Sequence, residues 1–235
     1  MINQLFPNAA ELWPDFWTAT LETLQMTFVT GIIAGILGLI LGVILLMTDE
    51  DGLTPQRLIY SILDKLVNIG RSIPFIILLA VIMPVTRFIV GTSVGTAAVT
   101  VPLVLGTIPF FARQIQNALL EVDPGVVEAA RAMGVGNFGI IYRVYLKEGL
   151  VSIIRASSFT VINLIGLTAM AGTVGGGGLG SMALQQGYQR GRGDITFLSL
   201  VFVLVIVFIS QVLGNLAVKA ASKGRLLLPN YLGLG

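Results

Sequence analysis

Between residues 113 and 149 the chain carries its densest set of side chains able to make specific contacts. Asp123-Pro124 opens a short helix there, with Asp as the cap and Pro at the first helical position. Glu128 falls in the first turns, where the positive end of the helix dipole favours a carboxylate. The helix continues through Ala129, Ala130, Arg131, Ala132 and Met133 and stops at Gly134. Gly136-Asn137 punctuates, and a second amphipathic stretch covers residues 138–146. Small side chains let another surface approach closely, and Glu128 with Arg131 can fix its orientation. That is docking chemistry. The plainer reading of the same pattern is a surface connector with no partner.

Elsewhere reactive side chains are sparse. The chain has no histidine and no cysteine, which removes imidazole acid–base chemistry, thiol nucleophiles, disulfides and the usual zinc sites. The acids stand mostly at loop positions. The spans proper offer only Glu22 and Asp64, both near ends, and no acid–base pair or nucleophile emerges. We therefore expect no catalytic residue and no metal site. The run Gly175, Gly176, Gly177, Gly178 is not followed by Lys, so it is no phosphate-binding loop; a turn that needs unusual backbone angles explains it as well. Arg71 lies in an apolar stretch, where a charge must face the bundle or water, or snorkel to the surface. Met170 sits among Ala169, Ala171 and Gly172, where a flexible thioether can fill a narrow gap and move aside, or simply pack. Asn163, Thr168 and Thr173 are weaker candidates for polar contact, since such residues also serve as interhelical glue.

The solvent for most of this surface is lipid. The 235 residues are 55% hydrophobic and only 11% charged, with a mean hydropathy of +0.90. Soluble domains carry about a quarter charged residues. A net charge of +2 does not suggest a nucleic-acid binder. Residues 1–17 contain Glu11 and Asp15 but no basic residue, unlike a cleavable signal peptide, so the first apolar segment reads as a retained span.

A bilayer-crossing helix takes about 20 apolar residues. Five candidates follow, at residues 18–47, 56–82, 88–112, 150–171 and 195–218, between an outer segment 1–17 and a tail 219–235. The first ends at Asp49-Glu50-Asp51 and carries Gly31, Gly35, Gly38 and Gly42 on one stripe, a helix-packing seam. Thr54-Pro55 begins the second, which bears the polar stripe Arg57, Ser61, Asp64, Asn68 and Arg71, with a kink predicted at Pro74. Asp194 is placed to cap the fifth. With the N-terminus outside, the inner side holds ten basic residues: Arg57, Lys65, Arg113, Arg131, Arg143, Lys147, Arg155, Lys219, Lys223 and Arg225. The outer side holds three, Arg87, Arg190 and Arg192. The excess of positive charge predicts N-out, C-in, with segment 113–149 in the cytoplasm.

Glu128-Ala129-Ala130, then Gly134, then Val144-Tyr145-Leu146 resembles the EAA motif of ABC importer permeases, although Lys147 stands where that family usually has Pro. Further blocks resemble the methionine importer permeases: residues 68–75, 89–93, 117–121 and 169–172, residues 174–180, and Gly187-Tyr188. The likeness covers nearly the whole chain except the acidic N-terminal extension and the tail.

The resemblance implies an all-α integral membrane protein with the type I ABC importer permease fold. It would form a dimer in the bacterial inner membrane and import methionine, of either stereochemistry, or a related amino acid. The partners implied are a second permease copy, two ATPase subunits, a substrate-binding lipoprotein outside and membrane lipid. No cofactor is expected on this chain; ATP and Mg belong to the partner ATPase. Glu128, Ala129, Ala130, Arg131, Met133 and Gly134 would form the coupling helix against that ATPase. The pathway would follow the dimer interface, with Arg71, Met170, Asn163 and Thr168 as pathway or gate residues. Glycines 175–178 would form a compact outer cap against the binding protein. A permease for another small amino acid is the alternative. An ion-driven secondary transporter is a distant one, for it leaves the Glu-Ala-Ala…Gly helix unexplained.

Overall fold

The computed structural model of the chain describes residues 7–231. The first six residues of the expected outer segment, the last four of the expected tail and the Arg225 side chain lie outside the described residues. All regular structure among the described residues is helical. The principal helices are α1 (Trp13–Thr48), α2 (Arg57–Ser72), α3 (Phe75–Val90), α4 (Thr96–Leu120), α5 (Pro124–Ala132), α6 (Leu150–Ala171) and α7 (Gly193–Tyr231). Of these, α1, α4, α6 and α7 are each long and apolar enough to cross a membrane, and α2 with α3 gives a fifth crossing if that bent pair is one span.

Several element boundaries differ from the sequence reading. The second span is not a continuous helix over 56–82. Pro74 sits at φ −57, ψ 130 and α3 starts afresh after it. Proline removes a backbone donor and pushes the preceding residue out of helical geometry, so the chain breaks rather than kinks. Helix α3 then continues to Val90, where Gly91 at φ 81 closes it by donating its N–H to the Arg87 carbonyl. The third span consequently starts at Thr96 rather than 88, and it runs to Leu120 because Arg113 finds partners inside its own unit. Helix α1 starts at Trp13, inside the segment read as an outer extension.

The chain divides into two compact units. Unit 1 comprises the chain up to Ala34 together with Arg71–Thr107 and Val161–Ile209. One of its cores packs Phe16, Ala19, Ile165, Leu179, Met182 and Ile195, and another Met26, Leu79, Val99, Leu103 and Leu164. Asp194, expected to stand before the fifth span as its cap, is instead the second residue of α7. Its carboxylate accepts hydrogen bonds from the N–H groups of Asn8 (2.9 Å) and Ala9 (3.2 Å). These are orphan donors of the one-turn helix Pro7–Glu11, which it thereby holds in place.

Unit 2 comprises Gly35–Gly70, Ile108–Thr160 and the chain from Ser210. Here α1 and α4 approach closely: a methyl group on Gly42 would lie 2.6 Å from the Ala112 carbonyl, and one on Gly38 2.9 Å from Phe111. Only these two glycines of the expected stripe form a seam, because Gly31 and Gly35 face no atom within 4 Å.

Candidate functional site

Unit 2 builds the docking segment from its caps inward. The Asp123 carboxylate accepts the Gly125 N–H at 2.8 Å and Pro124 starts α5. At the other end Gly134 takes the left-handed conformation, φ 77. Its N–H donates to the Arg131 carbonyl at 2.9 Å, and the Val135 N–H donates to the Ala130 carbonyl at 3.1 Å. This is a Schellman termination, which needs a residue without a Cβ at its left-handed position. The Gly of the Glu-Ala-Ala…Gly pattern is therefore a backbone requirement.

Helix α5 is two-sided. Val127 and Ala130 are buried against Leu53, Val122, Ile140, Ile141 and Val144. Glu128, Ala129, Arg131, Ala132 and Met133 are exposed. The expectation that Ala130 is offered to a partner is corrected: it is 4% exposed and seats the helix on its own unit. The Arg131 Nη2 donates to the Gly52 carbonyl at 3.2 Å, and Asn137 Nδ2 to the Leu53 carbonyl at 3.5 Å, tying the loop after α1 to this segment. Between them runs a groove of about 540 Å³, bordered by Glu50, Asp51, Pro55, Glu128, Arg131 and Tyr145. Burial pushes the Tyr145 hydroxyl above its ordinary value, with Arg131 acting the other way. It stays a neutral donor.

Two exposed aromatic residues extend the outward surface and were missed from sequence, Phe138 at 82% and Tyr142 at 61% exposure. The stretch 138–146 had been read as amphipathic, but not which of its residues turn outward. A π-helical turn over Ile141–Tyr145 sets that register. Lys147, where the resembled motif has Pro, is exposed.

A second feature of unit 2 was also missed. Asp64 and Asn68 of α2 meet Arg113 of α4: Arg113 is ion-paired with Asp64 and donates to Asn68 Oδ1 at 3.1 Å and to Gln116 Oε1 at 2.7 Å. Asn68 Nδ2 donates back to Asp64 at 3.0 Å. Above this knot Gly70 meets Pro109, where a methyl group would come within 2.9 Å. The polar stripe read from the sequence was the signal, and its partner on α4 was the part not visible.

The expected pathway residues lie in unit 1. Asn163 and Met170 are exposed on one side of α6, as is Thr173 just beyond its end. Thr168 is not with them: it is 1% exposed and donates to the Ile165 carbonyl at 2.7 Å, because its place in the helical turn faces the core. Arg71 is exposed and has no hydrogen-bond or ion-pair partner among the described residues. The glycine run is stapled to α1. Gly178 N–H donates to Glu22 at 2.6 Å and Leu179 N–H to Thr23 Oγ1 at 2.9 Å. Positive φ at Gly175, Gly177 and Gly178 explains three of the four glycines. At Gly176 a methyl group would strike the Ala171 carbonyl at 2.6 Å. Gly176 and Gly178 are buried, so little of this loop faces outward.

Comparison with known proteins agrees with this architecture. Residues 34–223 match the family described as binding-protein-dependent transport system inner membrane component. The chain is 42% identical over 223 residues to the methionine import system permease protein MetP of Bacillus subtilis, covering 95% of this chain and 100% of that one. It is 46% identical over 202 residues to the probable D-methionine transport system permease protein MetI of Vibrio cholerae, covering 86% and 90%. Among solved structures, one of inward-facing conformations of the MetNI methionine ABC transporter superposes with a TM-score of 0.87 at 41% identity, covering 90% of this chain and 98% of that one. The family match, over residues 34–223, spans α2 to α6 in full, the capped α5 among them, and on that ground the chain belongs to the family of binding-protein-dependent transport system inner membrane components.

Proposed function

We propose that this chain is the membrane permease of an ATP-driven methionine importer, a homodimer in the bacterial inner membrane with its N-terminus outside and its C-terminus inside. The observation that carries the reading is α5, a helix capped at both ends, seated on its own unit by Val127 and Ala130, and presenting Glu128, Ala129, Arg131 and Met133 outward. In this reading a separate ATPase receives that surface. Closure of the ATPase dimer on ATP moves α5, and the permease switches between inward- and outward-facing states. ATP and Mg are held by the ATPase. The relatives' names support methionine as the substrate, and the family's description supports a separate binding protein, which in this reading is a lipoprotein that delivers it from outside.

The N-out, C-in arrangement rests on the distribution of basic residues. The contact of Arg131 with Gly52 supports the crossing count rather than the orientation, for it keeps the acidic loop after α1 on the same side as segment 113–149. The likeness to an inward-facing structure supports an inward-facing state for the conformation described. We assign Met170, Asn163 and Arg71 to the pathway or the dimer contact, and leave Thr168 out of it. Membrane crossings by α1, by α2 with α3, and by α4, α6 and α7, with an outer N-terminal segment and an inner tail, complete the proposal.

The test is co-expression with the ATPase subunit of a methionine importer. Glu128→Lys should abolish co-purification and transport together. If the Glu128→Lys complex stays intact and transports normally, α5 is not the coupling element.

A further inference from the structure

A second site lies in unit 2, apart from α5. A cleft of about 260 Å³ opens between α4 and α6, with Gln114, Asn117 and Glu121 on one wall and Ser152, Arg155 and Phe159 on the other. That is smaller than the ~300–1,000 Å³ typical of pockets for drug-sized ligands, and it suits a ligand of amino-acid size. Glu121 accepts a hydrogen bond from Ser152 Oγ at 2.5 Å. Arg155, one turn inside a membrane-crossing helix, has no hydrogen-bond or ion-pair partner among the described residues. A cation and a carboxylate, both exposed, thus line one cleft with no ion pair between them. Phe159, half exposed at 54%, stacks on Phe110 with ring centroids 6.0 Å apart and gives the cleft an apolar wall.

We propose that this cleft is an amino-acid site on the inner side of the permease, resting on the importer reading above. The α-carboxylate of the zwitterion meets the Arg155 guanidinium, a charge-assisted pair that can be bidentate. The α-ammonium meets Glu121. The apolar side chain lies against Phe159, where a thioether gains from contact with the ring. Asn117 and Gln114 supply neutral donors and acceptors around the backbone atoms. Opposed charges in one small cleft select a zwitterion over a simple anion or cation, a selection that neither charge alone makes. The phosphate and ammonium of a phosphatidylethanolamine headgroup share this chemistry, and the experiment separates the two sources.

The permease–ATPase complex, without binding protein, is irradiated with a diazirine analogue of methionine and the label is mapped by mass spectrometry. We expect label on peptides containing residues 114–121 and 152–159, removed by excess free methionine and reduced at least fivefold in Arg155→Gln and in Glu121→Gln. Label absent from these peptides in the wild-type complex overturns the site. So does label undiminished in both variants, or label displaced by phosphatidylethanolamine and not by free methionine. Mapping on the wild-type complex decides the question even where a variant fails to assemble with the ATPase. A parallel uptake measurement in proteoliposomes with ATPase and binding protein separates the two readings. Absence of methionine uptake overturns the importer reading and this site with it, while uptake without label in the cleft overturns the site alone.

Discussion

Asp64 and Arg113, 49 residues apart in the chain, form an ion pair that fastens α2 to α4. Their side chains are 27% and 15% exposed, and Asn68 and Gln116 complete the knot. Exposed pairs contribute under about 1 kcal/mol, whereas removing one partner of a buried pair costs about 3–5 kcal/mol. This pair lies between those limits. Asp64→Leu should lower the stability of the detergent-solubilised permease by roughly 2 kcal/mol, because it strands the Arg113 charge. The double variant Asp64→Leu with Arg113→Met should recover most of that loss, since no unpaired charge remains. Thermal unfolding of the three proteins measures it. A double variant less stable than the single one would mean that the knot stabilises through its hydrogen bonds rather than through charge pairing.

Gly134 closes α5 at φ 77 with no atom near its Cα substituent position. Space is therefore not what demands glycine; the backbone angle is. Gly134→Ala should cost about 1–2 kcal/mol for a left-handed non-glycine residue, and Gly134→Asn less, because Asn visits that region more readily. In a coupled transporter the same order, wild type above Asn above Ala, should appear in methionine uptake per ATP hydrolysed. Equal coupling in all three would separate the cap from the coupling function.

How much of this was legible in the sequence depends on what each pattern encodes. The capped helix at 124–134 could be read because Asp-Pro and Gly are local signals for local hydrogen bonds. The break at Pro74 was legible as a perturbation but not as a full stop, since the N–H groups that follow Pro74 find acceptors only once α3 forms. The end of α4 was missed because hydropathy falls at Arg113. A charged residue inside a helix shows its logic only when Asp64, far off in sequence, is placed beside it. Asp194 was read as the cap of its own helix, and a single strand of sequence could not show that Asn8 and Ala9 compete for its carboxylate. Thr168 and Met170 are two residues apart, and a shift of 200° around a helix puts one in the core and the other outside.

The two adjacent alanines of α5 give opposite predictions from one substitution. Ala130 is buried, so Ala130→Leu overpacks the cluster around Val127 and Ile140 and should cost about 1–3 kcal/mol. Ala129 is exposed, so Ala129→Leu should leave stability within about 0.5 kcal/mol while obstructing close approach by the ATPase. Stability and co-purification, measured side by side, should therefore separate: Ala130→Leu weakens the permease itself, and Ala129→Leu weakens only the complex. The reverse assignment would mean that the outward face of α5 is not the docked one.

The same contrast between neighbours tests the pathway assignment. The chain has no native cysteine, so single cysteines report cleanly. Met170 is 42% exposed and Thr168 is 1% exposed. Met170→Cys and Asn163→Cys in the reconstituted transporter should react with a water-soluble maleimide, because a face that lines a solvated path is reachable from water although it lies within a membrane-crossing helix. Thr168→Cys should stay unreactive under the same conditions, and its loss of the hydroxyl bond to Ile165 should matter little, since that bond lies within a single helix turn. A nucleotide that drives the ATPase dimer closed should change the rate at 170 by several fold if this face moves between inward- and outward-facing states. Protection of 170 and 163 from the reagent in every state, with modification by a lipid-soluble probe instead, would place that face of α6 against lipid and remove Met170 and Asn163 from the pathway.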